Sequence, residues 1–110
     1  MNEQFQRCIE ACYLCATACD NCATSCLQEE HVEMMRDCIR YDIQCAAICR
    51  VSAQLMAQKS EYAAQLCKLC AEICDRCGDE CGQHEHDHCQ HCARACHQCA
   101  EACRNMAGAA

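Results

Sequence analysis

The pattern of core positions along the chain is helical, and cysteine occupies most of those positions. The segments 12–26, 67–81 and 89–103 read CYLCATACDNCATSC, CKLCAEICDRCGDEC and CQHCARACHQCAEAC. All three follow the spacing C-x2-C-x3-C-x2-C-x3-C, and Cys8 extends the first by one further step of four. Residues three and four apart share one face of an α-helix, whereas a strand would place these thiols on both of its faces. The pattern therefore predicts helices that each direct a stripe of sulfur toward the core.

Four helices are predicted from this periodicity and from the polar segments that interrupt it. The first covers about residues 3–27 and the second about residues 31–57, with a polar connector at 28–30. Ser60 is a good N-cap for a third helix that starts at Glu61 and ends near Gly82. A polar turn at 83–87 leads to a fourth helix over about 88–106, and a frayed tail is expected at 108–110. Short connections predict an all-α, antiparallel up-down-up-down four-helix bundle with a cysteine-lined core, as one domain over residues 1–110.

The second helix departs from the stripe, because it carries fewer cysteines than the others. Methionines at core spacing are expected to act mainly as filler, although their thioethers are soft metal ligands. An aspartate on the core face is unusual, and Asp42 is expected to contact a polar gap or a cation. The remaining core-phase positions of this helix are His31, Met34, Met35, Asp42, Ser52 and Met56.

The up-down topology gathers histidines at one end of the bundle, which we call the mouth. Both connectors, 28–30 and 83–87, lie at this end, and the chain termini lie at the other. His31 is in helical phase with Cys38 and is expected to face inward, whereas His88 sits about 60° off the fourth stripe and is a candidate ligand. His84 and His86 lie in the predicted turn. Two roles stay open for them, solvation at the surface and transient capture of metal. The histidines expected on the surface, about 120° off the fourth stripe, are His91 and His97.

Charge and hydropathy exclude several classes of partner. The 110 residues carry a formal charge of -7 and no basic cluster, which argues against binding to nucleic acid or to an anionic membrane surface. No run approaches 18 apolar residues, so no membrane span is predicted. The N-terminal sequence lacks the apolar region of a secretory signal, and we therefore expect a cytoplasmic protein whose thiols stay reduced.

Packing and disulfides explain the 19 cysteines poorly. If the cysteines only filled the core, almost no Leu, Ile or Val would remain on the buried faces. Cysteine usage also reflects reactivity more often than packing. Cβ atoms three or four residues apart on a helix are about 5–6 Å from each other, whereas a disulfide requires about 3.8 Å. Metal binding is therefore the favoured interpretation.

Among metals, soft thiolates suit Cu(I), Zn(II) and iron–sulfur clusters. Iron–sulfur cysteines lie in loops, commonly with a proline that this chain lacks. Zinc takes four ligands per ion, so the thiolates would bind only a few zinc ions. The charge of these few ions would leave a large negative charge on the thiolates in the core. Cu(I) accepts two or three sulfurs, and bridging thiolates bring the core close to neutrality at a capacity on the order of 15–20 ions. The i to i+4 pairs that suit two-coordinate Cu(I) are Cys8/Cys12, Cys15/Cys19, Cys22/Cys26, Cys45/Cys49, Cys70/Cys74, Cys77/Cys81, Cys92/Cys96 and Cys99/Cys103.

The predicted function is storage or sequestration of many Cu(I) ions by a bundle that is folded before metal arrives. No histidine–carboxylate pair stands out as a general base, so the chain is not expected to be an enzyme. Two alternatives remain open, a redox or thiol buffer and a protein that sequesters zinc or cadmium. The candidate ligands are Cys8, Cys12, Cys15, Cys19, Cys22, Cys26, Cys38, Cys45, Cys49, Cys67, Cys70, Cys74, Cys77, Cys81, Cys89, Cys92, Cys96, Cys99, Cys103, His31 and His88.

The repeated CxxxC and CxxC stripes and the histidine-bearing end resemble those of the cytosolic bacterial four-helix-bundle copper storage proteins. The resemblance covers essentially the whole chain. It implies Cu(I) held by thiolates inside the bundle, access for copper at the mouth, and a homotetramer. Apolar side chains directed away from the sulfur face independently favour contacts between subunits, and they are Ile9, Ile39, Ile43 and Leu69.

Overall fold

Four α-helices follow one another in the computed structural model, which describes residues 3–109. The first and second pack against each other, as do the third and fourth, and the first–fourth and second–third pairs complete a square. This arrangement confirms the predicted all-α, up-down-up-down bundle. The described part measures 44 × 18 × 17 Å. The helices are α1 at Glu3–Leu27, α2 at Arg36–Ala57, α3 at Ala63–Cys81 and α4 at Asp87–Ala109.

The start of the second helix is the main difference from the sequence prediction. A short 3-10 helix at Val32–Met35 precedes α2, which begins only at Arg36. A 3-10 helix turns about 120° per residue, whereas an α-helix turns about 100°. His31 therefore does not share the helical phase of Cys38, and the prediction of one α-helix over 31–57 is wrong in its first turn.

Two other helix ends differ from the prediction. The third helix begins two residues later than predicted, because Ser60 Oγ accepts the Tyr62 N–H at 3.1 Å and forms a turn before the helix. The expected frayed tail is wrong for residues 108 and 109, which continue α4. Alanines on both sides of Gly108 favour the helix enough to tolerate one glycine. Residue 110 of that expected tail lies outside the described residues.

The end of α2 is closed by a hydrogen-bonded C-cap with an unusual residue in it. The N–H of Ser60 donates to Leu55 O at 3.0 Å, and the N–H of Lys59 donates to Met56 O at 3.0 Å. These two bonds form a Schellman motif, which places its C′ residue in the left-handed region. That residue is Lys59, with φ of 56°, where glycine is the common choice. The motif turns the chain into α3 within a few residues.

The core consists of thiols along the axis and small residues where helices approach. Every cysteine is completely buried. Gly78 shows how close the approach is, because a Cβ atom at this position would lie 2.6 Å from Nε2 of His97. Close helix packing therefore brings the sulfur stripes within contact of one another. The buried alanines are Ala16, Ala18, Ala46, Ala53, Ala63, Ala71, Ala93 and Ala100.

Candidate metal centre

The thiols form a continuous column of sulfur along the bundle axis. All 19 are free and buried. Contacts between helices are as short as those within them, because the stripes face one another. Between helices, the Sγ–Sγ distances include Cys38–Cys81 at 3.1 Å, Cys45–Cys74 at 3.4 Å and Cys15–Cys45 at 3.6 Å. Predicted i to i+4 pairs that lie in contact are Cys22/Cys26 at 3.8 Å, Cys70/Cys74 at 3.7 Å, Cys77/Cys81 at 4.0 Å and Cys92/Cys96 at 3.9 Å.

These sulfurs are close enough to share metal ions. In several groups of four, all sulfur atoms lie within 4.8 Å of one another. Two sulfurs bound to one ion are separated by at most about 4.6 Å, since a metal–thiolate bond is about 2.3 Å long. The groups also overlap, so that one thiolate can bridge two ions. They include Cys12/Cys49/Cys70/Cys99, Cys15/Cys49/Cys74/Cys99, Cys15/Cys19/Cys45/Cys96, Cys19/Cys77/Cys92/Cys96 and Cys22/Cys26/Cys38/Cys89.

Burial favours the protonated form of two thiols at the mouth, those of Cys26 and Cys89, when no metal is bound. It raises the pKa of Cys89 to about 12, with the negative charge of a neighbouring Cys38 thiolate as a further cause. Burial likewise raises the pKa of Cys26. Neutral thiols avoid the large free-energy cost of an unpaired buried charge. Metal binding must therefore displace protons from these cysteines.

Asp42 is the one carboxyl group inside the described sulfur column. Its Oδ1 accepts hydrogen bonds from the thiols of Cys77 at 3.2 Å, Cys92 at 3.3 Å and Cys81 at 3.4 Å. Burial, together with the negative charge of neighbouring Cys92, Cys77 and Cys38 thiolates, raises the pKa of Asp42 to about 11. The sequence predicted that Asp42 contacts a polar gap or a cation, and its observed polar partners are thiols on α3 and α4. Asp42 supplies an oxygen atom among the sulfurs.

Ser52 interrupts the sulfur stripe of α2 nearer the other end. Its hydroxyl is fully buried and has no hydrogen-bond partner in the described residues. Cys49, one turn earlier, contacts Cys70 and Cys99 at 3.8 Å each. Cys8, Cys67 and Cys103 lie near the ends of their helices at this end of the bundle, and the sulfurs of Cys8 and Cys103 are 3.6 Å apart.

His88 connects the thiols to the mouth. Its Nδ1 lies 3.5 Å from the sulfurs of Cys22 and Cys89 and 4.0 Å from that of Cys26. Its Nε2 lies 2.7 Å from Glu29 Oε2. The hydrogen bond from His88 lowers the pKa of Glu29. The structure thus places His88 against the thiols, as the sequence predicted, and its coordination of a metal stays a prediction.

The mouth contains a cavity of about 420 Å³. His31 lines it, but its side chain is 69% exposed and lies 3.5 Å from Glu33, so the expected inward orientation is wrong. The 3-10 turn also leaves Met34 exposed and Met35 buried. The acidic groups attract cations to this end. The lining residues are Glu29, Glu30, His31, Met34, Met35, Gln83, His84, Glu85 and His86.

The remaining histidines and the apolar residues outside the sulfur stripes differ in their exposure. His91 and His97 are exposed, as predicted. Ile43 and Leu69 are also exposed, whereas Ile9 and Ile39 are partly buried against the core, so the expectation of exposed side chains is wrong for the last two.

Two residues of the site were missed by the sequence reasoning. Met106 is fully buried at the end opposite the mouth, and its spacing of three from Cys103 continues the stripe. Glu29, in the connector after α1, contacts His88 in the first turn of α4, and no local sequence pattern indicates that contact.

Comparison with known proteins identifies relatives of this architecture. A family model described as "Csp: Copper storage protein" matches residues 1–108. The apo form of copper storage protein 3 from Bacillus subtilis is 51% identical, with a TM-score of 0.89 over 93% of this chain and 97% of that chain. No match is found among curated proteins.

Relatives that contain copper share this fold as well. The Cu(I)-bound copper storage protein BsCsp3 is 48% identical, with a TM-score of 0.92 over 96% of this chain and 99% of that chain. A cytosolic copper storage protein from Streptomyces lividans, with five coppers, is 39% identical, with a TM-score of 0.93 over 96% of this chain and 93% of that chain. The chain therefore belongs to the copper storage protein family.

Proposed function

We propose that this chain stores Cu(I) as many ions bound to the thiolates of its core. The observation that carries the proposal is the set of overlapping four-sulfur groups, each within 4.8 Å. Overlap allows thiolates to bridge ions, and a monovalent ion per bridging thiolate leaves the filled core nearly neutral. Ligand counting gives a capacity on the order of 15–20 ions per chain.

The proposed ligands are the 19 cysteines together with His88 through Nδ1. Asp42 adds an oxygen among the sulfurs near the mouth. His31 belongs to the outer wall of the mouth cavity, where it meets incoming ions before they reach the thiols. Copper access at this end is supported by the acidic lining and by the closure of the opposite end with Met56 and Met106.

Cu(I) is favoured over zinc and cadmium because of the number and burial of the thiols. Divalent ions in tetrahedral sites use four thiolates each, so that every four-coordinate site without shared ligands has a net charge of about −2. A dry core with several such sites would be strongly unfavourable. A redox buffer needs thiols that oxidants reach, whereas every cysteine here is completely buried.

The bundle serves storage, and it does so with helices formed before metal binds. Its thiols are buried among the four helices, which suits closed storage sites better than a catalytic metal with an open coordination position. The similarity of this fold to both an apo and a Cu(I)-bound relative supports a core that fills without refolding. The domain comprises residues 1–110.

The protein is also proposed to be a cytoplasmic homotetramer. The cytoplasmic location is proposed from one similar protein, a cytosolic copper storage protein. Separately, none of the helices within residues 3–109 combines the length and the apolar character of a membrane span. Exposed apolar side chains on α1, α2 and α3, and on the turn just before α3, offer surfaces for subunit contacts. They are Tyr13, Leu14, Ile43, Val51, Tyr62 and Leu69.

An anaerobic titration of the reduced protein with Cu(I) tests the proposal, with a chelator competing for copper and circular dichroism recorded at each step. We expect tight uptake of more than about ten ions per chain at constant helix content. Parallel titrations with Zn(II) and Cd(II) should saturate at far fewer ions. Saturation with Cu(I) at only a few ions would contradict the proposal and favour the divalent alternative.

A further inference from the structure

Glu29 and His88 come from opposite sides of the mouth and meet in a short hydrogen bond. Glu29 lies just after α1 and His88 lies in the first turn of α4, with Oε2 and Nε2 2.7 Å apart. We propose that Glu29 is a positioning residue, which fixes His88 in the tautomer that presents a bare Nδ1 to the thiols. The inference rests on the proposed function, in which His88 is a copper ligand.

The two nitrogen atoms of His88 face chemically different groups. Nδ1 lies 3.5 Å from the sulfurs of Cys22 and Cys89 and 4.0 Å from that of Cys26. These three cysteines, together with Cys38, form the four-sulfur group nearest the mouth. The imidazole ring therefore spans the distance between a surface carboxylate and the first thiols that an incoming ion meets.

A neutral imidazole has one N–H and one nitrogen with a free lone pair. A carboxylate can only accept a hydrogen bond from the ring, so that Glu29 selects the form with the proton on Nε2. The lone pair is then on Nδ1, and this is the atom directed at the thiols. Carboxylate–histidine–metal arrangements of this kind orient the ring and increase its basicity as a ligand.

A neighbouring histidine restrains the ring from the side. His86 stacks on His88 with centroids 5.4 Å apart and planes 4° from parallel. Its Nδ1 lies 3.4 Å from the same oxygen of Glu29. One carboxylate thus contacts two stacked imidazoles, and the stacking and the hydrogen bond both favour the observed orientation of the His88 ring.

The chain also contains a matched control for this contact. His84 Nε2 lies 2.9 Å from Glu80 Oε2, in a pair of similar burial at the same end of the bundle. Within residues 3–109, the imidazole of His84 makes no hydrogen bond to a cysteine thiol. Removal of Glu80 therefore tests the general effect of losing a carboxylate–histidine pair at the mouth.

The first test is the tautomer of His88 in the copper-free protein, measured by long-range ¹H–¹⁵N NMR at a pH where the imidazoles are neutral. We expect a pyrrole-type signal for Nε2 and a pyridine-type signal for Nδ1. Glu29→Ala should give a mixture of tautomers, and Glu29→Gln should retain the wild-type form because its amide oxygen still accepts the N–H. Glu80→Ala should leave His88 unchanged. A wild-type His88 with its proton on Nδ1 would overturn the inference without any variant.

The second test is copper affinity at the mouth, followed through the His88 signals while a chelator competes for Cu(I). Loss of an outer hydrogen-bond partner typically weakens metal binding by about 10–100-fold. We therefore expect Glu29→Ala to lower this affinity by about tenfold or more, with Glu29→Gln near wild type and Glu80→Ala unchanged. Equal affinities in wild type and Glu29→Ala would overturn the inference.

Total copper uptake separates this inference from the proposed function. Glu29→Ala should still bind about as many ions as the wild type, since all 19 cysteines remain. Low total uptake in both proteins would refute copper storage, while the tautomer measurement would still decide the role of Glu29.

Discussion

The two ends of the sulfur column begin from similar thiol layers and close them with different chemistry. At the mouth, His88 and Glu29 connect the thiols to an acidic cavity of about 420 Å³. At the far end, defined by Cys8, Cys67 and Cys103, the fully buried Met56 and Met106 follow the last thiols. Polar groups that exchange contacts with ions suit a route of access, whereas thioethers packed without exposure suit a seal. From this difference we propose that the cysteines set the capacity and that the residues at each end set the direction of filling.

The largest expected effect compares the buried methionines of the two ends. Met106→Ala should lower the free energy of unfolding of the copper-free protein by about 2–5 kcal/mol, because truncation leaves a cavity in a closed layer. Met35→Ala should cost less, since Met35 borders the mouth cavity, where water replaces the lost side chain. Chemical denaturation of both variants checks the order. Equal losses at the two ends would contradict the proposed seal.

A second comparison removes two thiols from each end. Cys26→Ala/Cys89→Ala at the mouth should slow Cu(I) uptake by about tenfold or more, because ions lose their first ligands. Cys8→Ala/Cys67→Ala at the far end should leave the initial rate unchanged. Both double variants should lose a similar number of ions from the final capacity, because each loses two thiols. Stopped-flow absorbance of the copper–thiolate bands measures the rates. A slower initial rate in the far-end variant would argue for access at both ends.

The third prediction concerns the carboxyl group within the column. Because burial raises the pKa of Asp42 to about 11, the folded protein retains a proton that the unfolded chain loses above about pH 4. Stability of the copper-free protein should therefore fall as pH rises from about 4, where the unfolded chain loses this proton, toward about 11, where the folded protein loses it.

Asp42→Asn isolates this contribution, because it keeps the shape of the side chain and removes the ionisation. Denaturation at several pH values should give a flatter pH profile for the variant than for the wild type. Parallel profiles for the two proteins would show that Asp42 does not ionise differently in the folded state.

The smallest expected effect is at Ser52, near the far end. Ser52→Ala should raise the stability of the copper-free protein by about 1 kcal/mol, since an unpaired buried hydroxyl is removed. Ser52→Cys should continue the stripe and add about one ion to the capacity, as one more thiolate becomes available. Thermal denaturation and mass spectrometry check the two outcomes. Destabilisation by alanine would mean that the hydroxyl has a partner in solution.

Sequence periodicity predicted the sulfur column because a helix converts spacings of three and four directly into a shared face. The same reasoning placed His88 at the thiols and identified Asp42 as a polar group on a core face. It failed at His31, because nothing in the local composition indicates that residues 32–35 wind as a 3-10 helix. The contact of Glu29 with His88 depends on how two connectors fold over the mouth, and periodicity carries no information about that.

Native mass spectrometry of the reduced protein during stepwise anaerobic addition of Cu(I) tests the central claim most directly, since it reports bound ions, compactness and assembly together. The account predicts binding of more than about ten ions per chain, with the charge-state distribution of a folded protein retained from the copper-free to the filled state. Saturation at a few ions, or a copper-free protein with the broad distribution of an unfolded chain, would contradict it.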